Sequence, residues 1–293
     1  HGQFHMRISK GAKDPITATV LALSTDAPSR DAVVFVSCDR CSIPSRIIER
    51  CRSAIRAKLP DLDTAKIIMS ATHTHTAPDI TGEWYPPVPS GVMTPAEYAD
   101  VFVECVAEAV AEAWHGRKKG GVSWGLGTAV VGHNRRATYF EDINAGTQAP
   151  MTGKFTDGVT KMYGNTNDPQ FSHIEGYEDH YVDLMFTWDK NRQMTGVIVN
   201  LACPSQETEQ DVYVSADFWH EIRTEIRKRH GKKIQVLAQC SAAGDQSPHL
   251  MWYKQAEQRM LALRGLSMRQ EIGRRVANAV DDVLPLAGKD IQA

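Results

Sequence analysis

The sequence has no long apolar run. Nothing in it approaches the roughly 18–20 consecutive apolar residues needed to cross a bilayer, so no transmembrane segment is expected. No secretory leader is visible either, since His1 opens directly onto polar residues. A removed segment would leave the same start, and secreted, periplasmic and cytoplasmic locations all stay open. Cysteine is sparse, with six in 293 residues, too few for a disulfide scaffold. Cys38 and Cys41 have redox-motif spacing, but a zinc ribbon needs a second such pair and there is none. Cys51 and Cys105 read as core residues on helices. Charge of one sign is also missing: 33 basic residues face 35 acidic ones, a net −2. That balance argues against a nucleic-acid partner, and the run Arg117-Lys118-Lys119 reads as a solvated helix end. No internal repeat is evident.

What is present is ordinary for a folded chain that buries a sizeable core, with 42% hydrophobic and 23% charged residues. Strand-like and helix-like patterns alternate. Ala32–Cys38 is a continuous β-branched run, as expected of a strand buried on both faces. Residues 45–59 have helical spacing, and Lys66–Ala71 reads as the next buried strand. Thr94-Pro95-Ala96-Glu97 is a capping box with proline at the first helical position, opening a helix to about Trp114. Residues 122–131 suggest a strand at a sheet margin. Tyr181–Trp188 and residues 194–202 flank Asp189-Lys190-Asn191 as a hairpin. A helix over 217–230 stops at Gly231, a buried strand follows over 234–240, and a last helix places Ile272, Val276, Val280 and Val283 on one face after a break at Gly265. Residues 140–180 interrupt this rhythm and read as a long loop or lid. The expectation is one layered α/β domain over 1–293, with a mixed, largely buried sheet flanked by helices.

Two segments carry chemistry. The first is Ser70-Ala71-Thr72-His73-Thr74-His75-Thr76-Ala77-Pro78, leaving a buried strand. On an extended strand His73 and His75 share a face, and strand ends are where α/β sites gather. Two imidazoles there suit a metal ion, or a metal ligand beside a proton-transfer group. They would equally suit a polar surface loop. The second is Gln239-Cys240-Ser241-Ala242-Ala243-Gly244-Asp245-Gln246-Ser247-Pro248, where small residues follow a buried strand and backbone N–H groups are free to face an anion. Ser247 suits a nucleophile or a polar anchor, and Asp245 an orienting group. Turn chemistry accounts for both as well. Trp84-Tyr85-Pro86-Pro87-Val88-Pro89 suits an aromatic rim or a plain loop. His115, His173, His180, His230 and His249 lack paired spacing and read as surface residues.

Thr72-His73-Thr74-His75-Thr76-Ala77-Pro78 resembles the T-H-T-H-S-G-P signature of the neutral/alkaline ceramidases. Ala238-Gln239 with Ala243-Gly244-Asp245-Gln246-Ser247-Pro248 resembles their A-Q-S-N-A-G-D-V-S-P. His133-Asn134-Arg135-Arg136-Ala137-Thr138-Tyr139 is similar to their N-R-S-P-x-A-Y stretch, and Asp39, just past the first strand, falls where they have an acidic residue. The matches keep family order over residues 2–283. The resemblance implies zinc bound by His73, substrate carbonyl contact by His75, oxyanion binding by Arg135 and support from Ser247.

There are departures. The family's second zinc histidine lies in N-F-A-x-H-G-T, and this chain has Asn200-Leu201-Ala202-Cys203-Pro204-Ser205-Gln206. Cys203 as thiolate is the nearest substitute ligand, with Asp217, Glu209 and His220 as rivals; Cys203 is also read as a plain buried thiol and Asp217 as a helix cap. Glu209 is further counted with Asp39 as substrate-binding. The resemblance thus implies a zinc-dependent amidohydrolase acting on an N-acyl, ceramide-like lipid or small molecule. Hydrolysis of another amide or an ester, or ligand binding without catalysis, are the alternatives.

Overall fold

The computed structural model describes residues 5–25, 31–83, 85–141, 156–157 and 159–292. Two mixed sheets come from its longer strands. In the first, β1 (Ala18–Ser24), β2 (Ala32–Cys38) and β3 (Ile67–Ala71) lie in the order β1-β2-β3. β1 is antiparallel to β2, and β2 is parallel to β3. In the second, β4 (Gly120–Thr128), β10 (Tyr181–Asp189), β11 (Met194–Leu201) and β12 (Gln235–Cys240) lie in the order β12-β11-β10-β4. β11 and β12 are parallel and the other pairings antiparallel. The Ser37 hydroxyl on β2 donates to the Ala238 carbonyl on β12, which ties the sheets together.

Each sheet is covered by a pair of helices. α1 (Ser45–Lys58) and α2 (Pro95–His115) pack Ile47, Ile55, Val106 and Val110 against Val34, Val36 and Ile67. α3 (Phe218–His230) and α5 (Met268–Ala287) pack Trp219, Ile222, Val276 and Val280 against Leu184, Phe186, Val199 and Val236. Alternation along β10 buries Val182, Leu184, Phe186 and Trp188 on one face, each worth about 1.5–3 kcal/mol of transfer free energy. The glycines of β4 let α5 approach: a Cβ at Gly125 would stand 2.5 Å from Val283 Cγ1. The capping box is present at Thr94, and a second, Ser267 with Gln270, opens α5 after Gly265 ends α4 (Lys254–Arg264) in the left-handed conformation. The layered α/β arrangement matches the expectation. Among the described residues no helix is long and apolar enough to cross a membrane.

Several local readings need correction. β1 carried no clear signal, because as an edge strand it is only half-buried along most of its length. Cys105 is exposed on α2, whereas Cys51 is fully buried. The stretch 140–180 is not one loop. β8 (Thr160–Met162) and β9 (Phe171–Ile174) flank β6 (Arg136–Tyr139), and β7 (Thr156–Asp157) completes a small sheet in the order β7-β8-β6-β9. Strands this short offer too few residues for a period to show. Residues 142–155 and 158 of the expected lid lie outside the described residues, as does Trp84 of the proposed rim. Finally, β5 (His133–Asn134) pairs antiparallel with β13 (Gln246–Ser247). That pairing joins the second and third motif segments.

Candidate active site

The parallel pairs β2/β3 and β11/β12 send their carboxyl ends to one place. Thr72 N–H donates to the Cys38 carbonyl, Ser205 Oγ to the Thr72 carbonyl at 2.6 Å, and Ser241 N–H to the Leu201 carbonyl. The chain leaving β3 is therefore clamped against the chains leaving β2 and β11. Thr74 and Thr76 hydroxyls both donate to the Ser215 carbonyl, at 3.1 and 2.9 Å.

His73 and His75 do meet, but not by strand alternation. β3 ends at Ala71, and His73 has φ 59°, in the left-handed region. A non-glycine residue there is strained by about 1–3 kcal/mol and persists only where its surroundings over-determine it; the Thr72, Thr74 and Thr76 hydrogen bonds do so. The two rings stand edge to face, centroids 4.9 Å apart. His73 Nδ1 lies 2.8 Å from the Cys41 carbonyl. A carbonyl only accepts, so Nδ1 carries the proton and Nε2 keeps a lone pair. Burial, then His75, hold the His73 imidazole below its ordinary pKa, and Arg135 acts in the same direction. Its neutral form, the one that ligates metal, is favoured.

Cys41 joins them. One ligand atom each from Cys41, His73 and His75 lie within 4.8 Å of one another. Burial pushes the Cys41 thiol up to about 11, so without a cation it stays protonated; a coordinated thiol loses that proton. The spacing of Cys38 and Cys41 was legible, but the histidine partners lie a strand and a helix further on.

His75 is buried and held from two sides. Glu209 Oε2 is 3.1 Å from its Nδ1, and Gln206 Nε2 is 3.0 Å from its Nε2. Gln206 Oε1 in turn accepts from Arg135 Nη1 at 3.1 Å. Arg135 also donates from Nη1 to the Tyr163 hydroxyl at 3.1 Å and from Nη2 to the Gly244 carbonyl at 2.8 Å. Its buried Nε–H has no acceptor among the described residues. The Tyr163 hydroxyl donates to Ser247 Oγ at 3.0 Å, and the His249 backbone N–H donates to the same oxygen at 3.1 Å. Among the described residues no imidazole hydrogen-bonds Ser247, which is arranged as a polar anchor rather than an activated nucleophile. Asp245 Oδ2 accepts from Asn134 Nδ2 at 2.9 Å, and its carbonyl accepts from Arg135 N–H at 2.8 Å, holding the arginine's backbone in place.

Three expected site residues sit elsewhere. Asp39 is fully engaged inside the protein: Arg223 grips both oxygens at 2.8 and 3.0 Å, and Thr17 and Thr72 take the remaining acceptor positions. Asp217 caps α3, accepting from Phe218 N–H at 2.6 Å and from Thr208 N–H at 2.7 Å. Cys203 is completely buried, its thiol donating to the Pro204 carbonyl at 3.5 Å, and desolvation raises its pKa well above the ordinary value. Neither Asp217 nor Cys203 belongs to a group of donor atoms close enough to share an ion among the described residues. The sequence reading missed Gln206, Tyr163 and Glu207. Glu207 lies 3.7 Å from His249, and burial, then Asp217 and Glu257, push it up to about 8. Gln206 closes the 200–206 stretch compared above with the family's zinc-histidine motif, which gave it no role, and no local period or motif marks Tyr163 or Glu207.

No family model matches the sequence, and no curated protein sequence matches it. Solved structures do match. One titled a ceramidase complexed with C2 aligns with 98% of this chain and 41% of its own, at 15% identity and a TM-score of 0.66. The neutral ceramidase from Pseudomonas aeruginosa aligns with 88% of this chain and 38% of its own, at 16% identity and a TM-score of 0.58. The chain thus spans about two fifths of the length of these ceramidases. The fold is ceramidase-like.

Proposed function

We propose that this chain is a zinc-dependent hydrolase that cleaves an amide bond in an N-acyl, ceramide-like substrate. The observation that carries the reading is the convergence of Cys41, His73 and His75 with the Arg135 guanidinium at adjoining strand ends. Two imidazoles and a thiol are a donor set that suits zinc, and three protein ligands with an open position is the catalytic pattern. Bound there, the metal would polarise a carbonyl and acidify water.

The chain's own groups do the rest. Arg135 presents a fixed positive charge and a spare Nε–H to the negative charge that grows on a carbonyl oxygen under attack. Gln206, Tyr163 and the Gly244 carbonyl hold its fork in place, so the donor needs no reorganisation. Glu209 Oε2, 3.1 Å from Nδ1, and Gln206 Nε2, within hydrogen-bond distance of both ring nitrogens, hold the His75 ring in place beside the metal group. Ser247 positions Tyr163, and Asp245 positions Arg135. Zinc would take its third ligand here, beside His73 and His75, from Cys41 rather than from Cys203 or Asp217.

One observation favours a non-catalytic relative instead. Gln206 Nε2 already lies 3.3 and 3.0 Å from the two His75 ring nitrogens, and Pro204 stands where the family motif has its second histidine. Metal analysis of the purified protein, with turnover of a fluorescent ceramide and an ester of the same acyl chain, decides between the readings. The proposal expects stoichiometric zinc and amide cleavage, both lost in His73→Ala. Bound ceramide without turnover or metal would support the ligand-binding reading.

A further inference from the structure

A second cluster of ligating side chains lies beside Arg135 and has no part in the chemistry above. His133, on β5, is buried, and its Nδ1 is 3.1 Å from Glu178 Oε1. The other oxygen of that carboxylate is 3.1 Å from His180 Nε2. The two imidazoles stand edge to face, centroids 6.3 Å apart, and one ligand atom from each of the three residues lies within 4.8 Å of the other two.

The backbone fixes the positions of His133 and His180, and Glu178 bridges them through its carboxylate. His133 is paired with Ser247 in the β5–β13 ladder. The His180 carbonyl accepts from Ala129 N–H at 2.8 Å, just past β4, and Asp179 Oδ1 accepts from Tyr181 N–H at the start of β10. A carboxylate only accepts, so without a cation it must be met by an N–H from each ring. With one, two imidazole lone pairs and a carboxylate form a donor set that favours zinc-like divalent ions over calcium or magnesium. Bonds of about 2.0–2.2 Å at tetrahedral angles place neighbouring donor atoms about 3.3–3.6 Å apart, a few tenths of an ångström beyond the two 3.1 Å separations found here, one to each oxygen of the Glu178 carboxylate. The neighbouring cation, Arg275, is engaged by Glu271 at 3.0 Å and faces Glu257 at 4.0 Å.

We propose that His133, Glu178 and His180 bind a zinc-class divalent ion at a second site, where it fastens the segment carrying Arg135 to the start of β10. The site is distinct from the Cys41–His73–His75 group and does not depend on what that group does. One residue, Asn134, separates His133 from Arg135, so the ion would hold the arginine's segment from behind.

The test is a cobalt(II) and zinc(II) titration of chelator-stripped protein, comparing wild type, His73→Ala, His180→Ala and the milder Glu178→Gln. The His73→Ala protein is expected to keep one ion, with a cobalt d–d spectrum of N/O ligation free of thiolate charge transfer. Its thermal midpoint should rise with zinc. In the same background His180→Ala or Glu178→Gln should weaken that binding by more than about 100-fold, since even outer partners of a ligand cost 10–100-fold. His73→Ala protein with native circular dichroism that binds neither metal overturns the proposal. So does binding unchanged by both second-site substitutions. Failure at Cys41–His73–His75 alone would leave a single ion, sensitive to His180 but not to His73, and so would be distinguishable.

Discussion

Glu271 gives the sharpest quantitative test of the structure. It is buried in the first turn of α5 and receives three arginines. Oε1 accepts from Arg264 Nη1 and Arg274 Nη2, both at 2.7 Å, and from Arg275 Nε at 3.0 Å; Oε2 accepts from Arg274 Nε at 2.8 Å. These hydrogen bonds, Arg274 first, bring its carboxyl down to about 2 despite its burial. An unfolded glutamate titrates near 4.3, so the shift is about 2 units, or about 3 kcal/mol. The arginine side chains are 24–38% exposed, and water screening reduces this to about 2 kcal/mol. The folded value lies below the unfolded one. The stabilisation is therefore complete above about pH 5 and is lost as pH falls through 4 toward 2. Glu271→Gln removes the charge and turns an amide N–H₂ toward arginine donors. It is expected to cost about 2 kcal/mol at pH 7, about 3 °C in Tm for a chain of this length, and to flatten the decline in stability between pH 5 and 3. α4 should loosen with it, because that helix buries no side chain and reaches α5 through Arg264–Glu271 and Glu257–Arg275. Urea melts at pH 7, 5 and 3, with hydrogen exchange on α4, measure both effects. A variant as stable as wild type at pH 7, with the same acid slope, would refute the assignment.

If the proposed hydrolysis holds, Arg135→Lys is expected to lower kcat/KM for the proposed N-acyl substrate by about 10²–10³, because one ammonium cannot serve Tyr163, Gln206 and Gly244 and still face substrate; normal turnover in steady-state assays would remove Arg135 from the chemistry. Cys203→Ala should leave zinc affinity unchanged while costing about 1 kcal/mol of stability from the lost buried sulfur; loss of zinc in a metal titration would restore Cys203 as a ligand. Asp217→Ala should cost about 2 kcal/mol or more in urea melts, from the lost cap and the unpaired Thr208 N–H, with metal content intact. Stability within a few tenths of wild type would contradict the capping geometry.

How much was legible follows from the range over which each signal acts. β2, β3, β10, β11 and β12 were readable because burial on one or both faces demands apolar runs or alternation, and those patterns are local. Both ends of α2 and the break at Gly265 were readable because caps are local chemistry. β1 and the short strands of 133–174 were not, since an edge or a two-residue strand imposes little pattern. Nothing within α2 said that Cys105 would face water while Cys51 on α1 would not.

At the site, the sequence marked His73 and His75 because they leave a buried strand and Asp245 and Ser247 because they stand in a run of small residues, while Arg135 was marked only by the resemblance of its stretch to the ceramidase one. Only the tertiary structure decided their partners. Cys41 reaches the histidines because β2 and β3 are parallel neighbours whose ends emerge together. Gln206 and Glu209 reach His75 from more than 130 positions away, because β11 ends against the β3 turn. Asp217 became a cap and Cys203 a core thiol for the same reason. A side chain's donor type is written in its identity, but the atom it faces depends on sheet order and on which strand ends converge, and long-range pairing leaves no period in the chain.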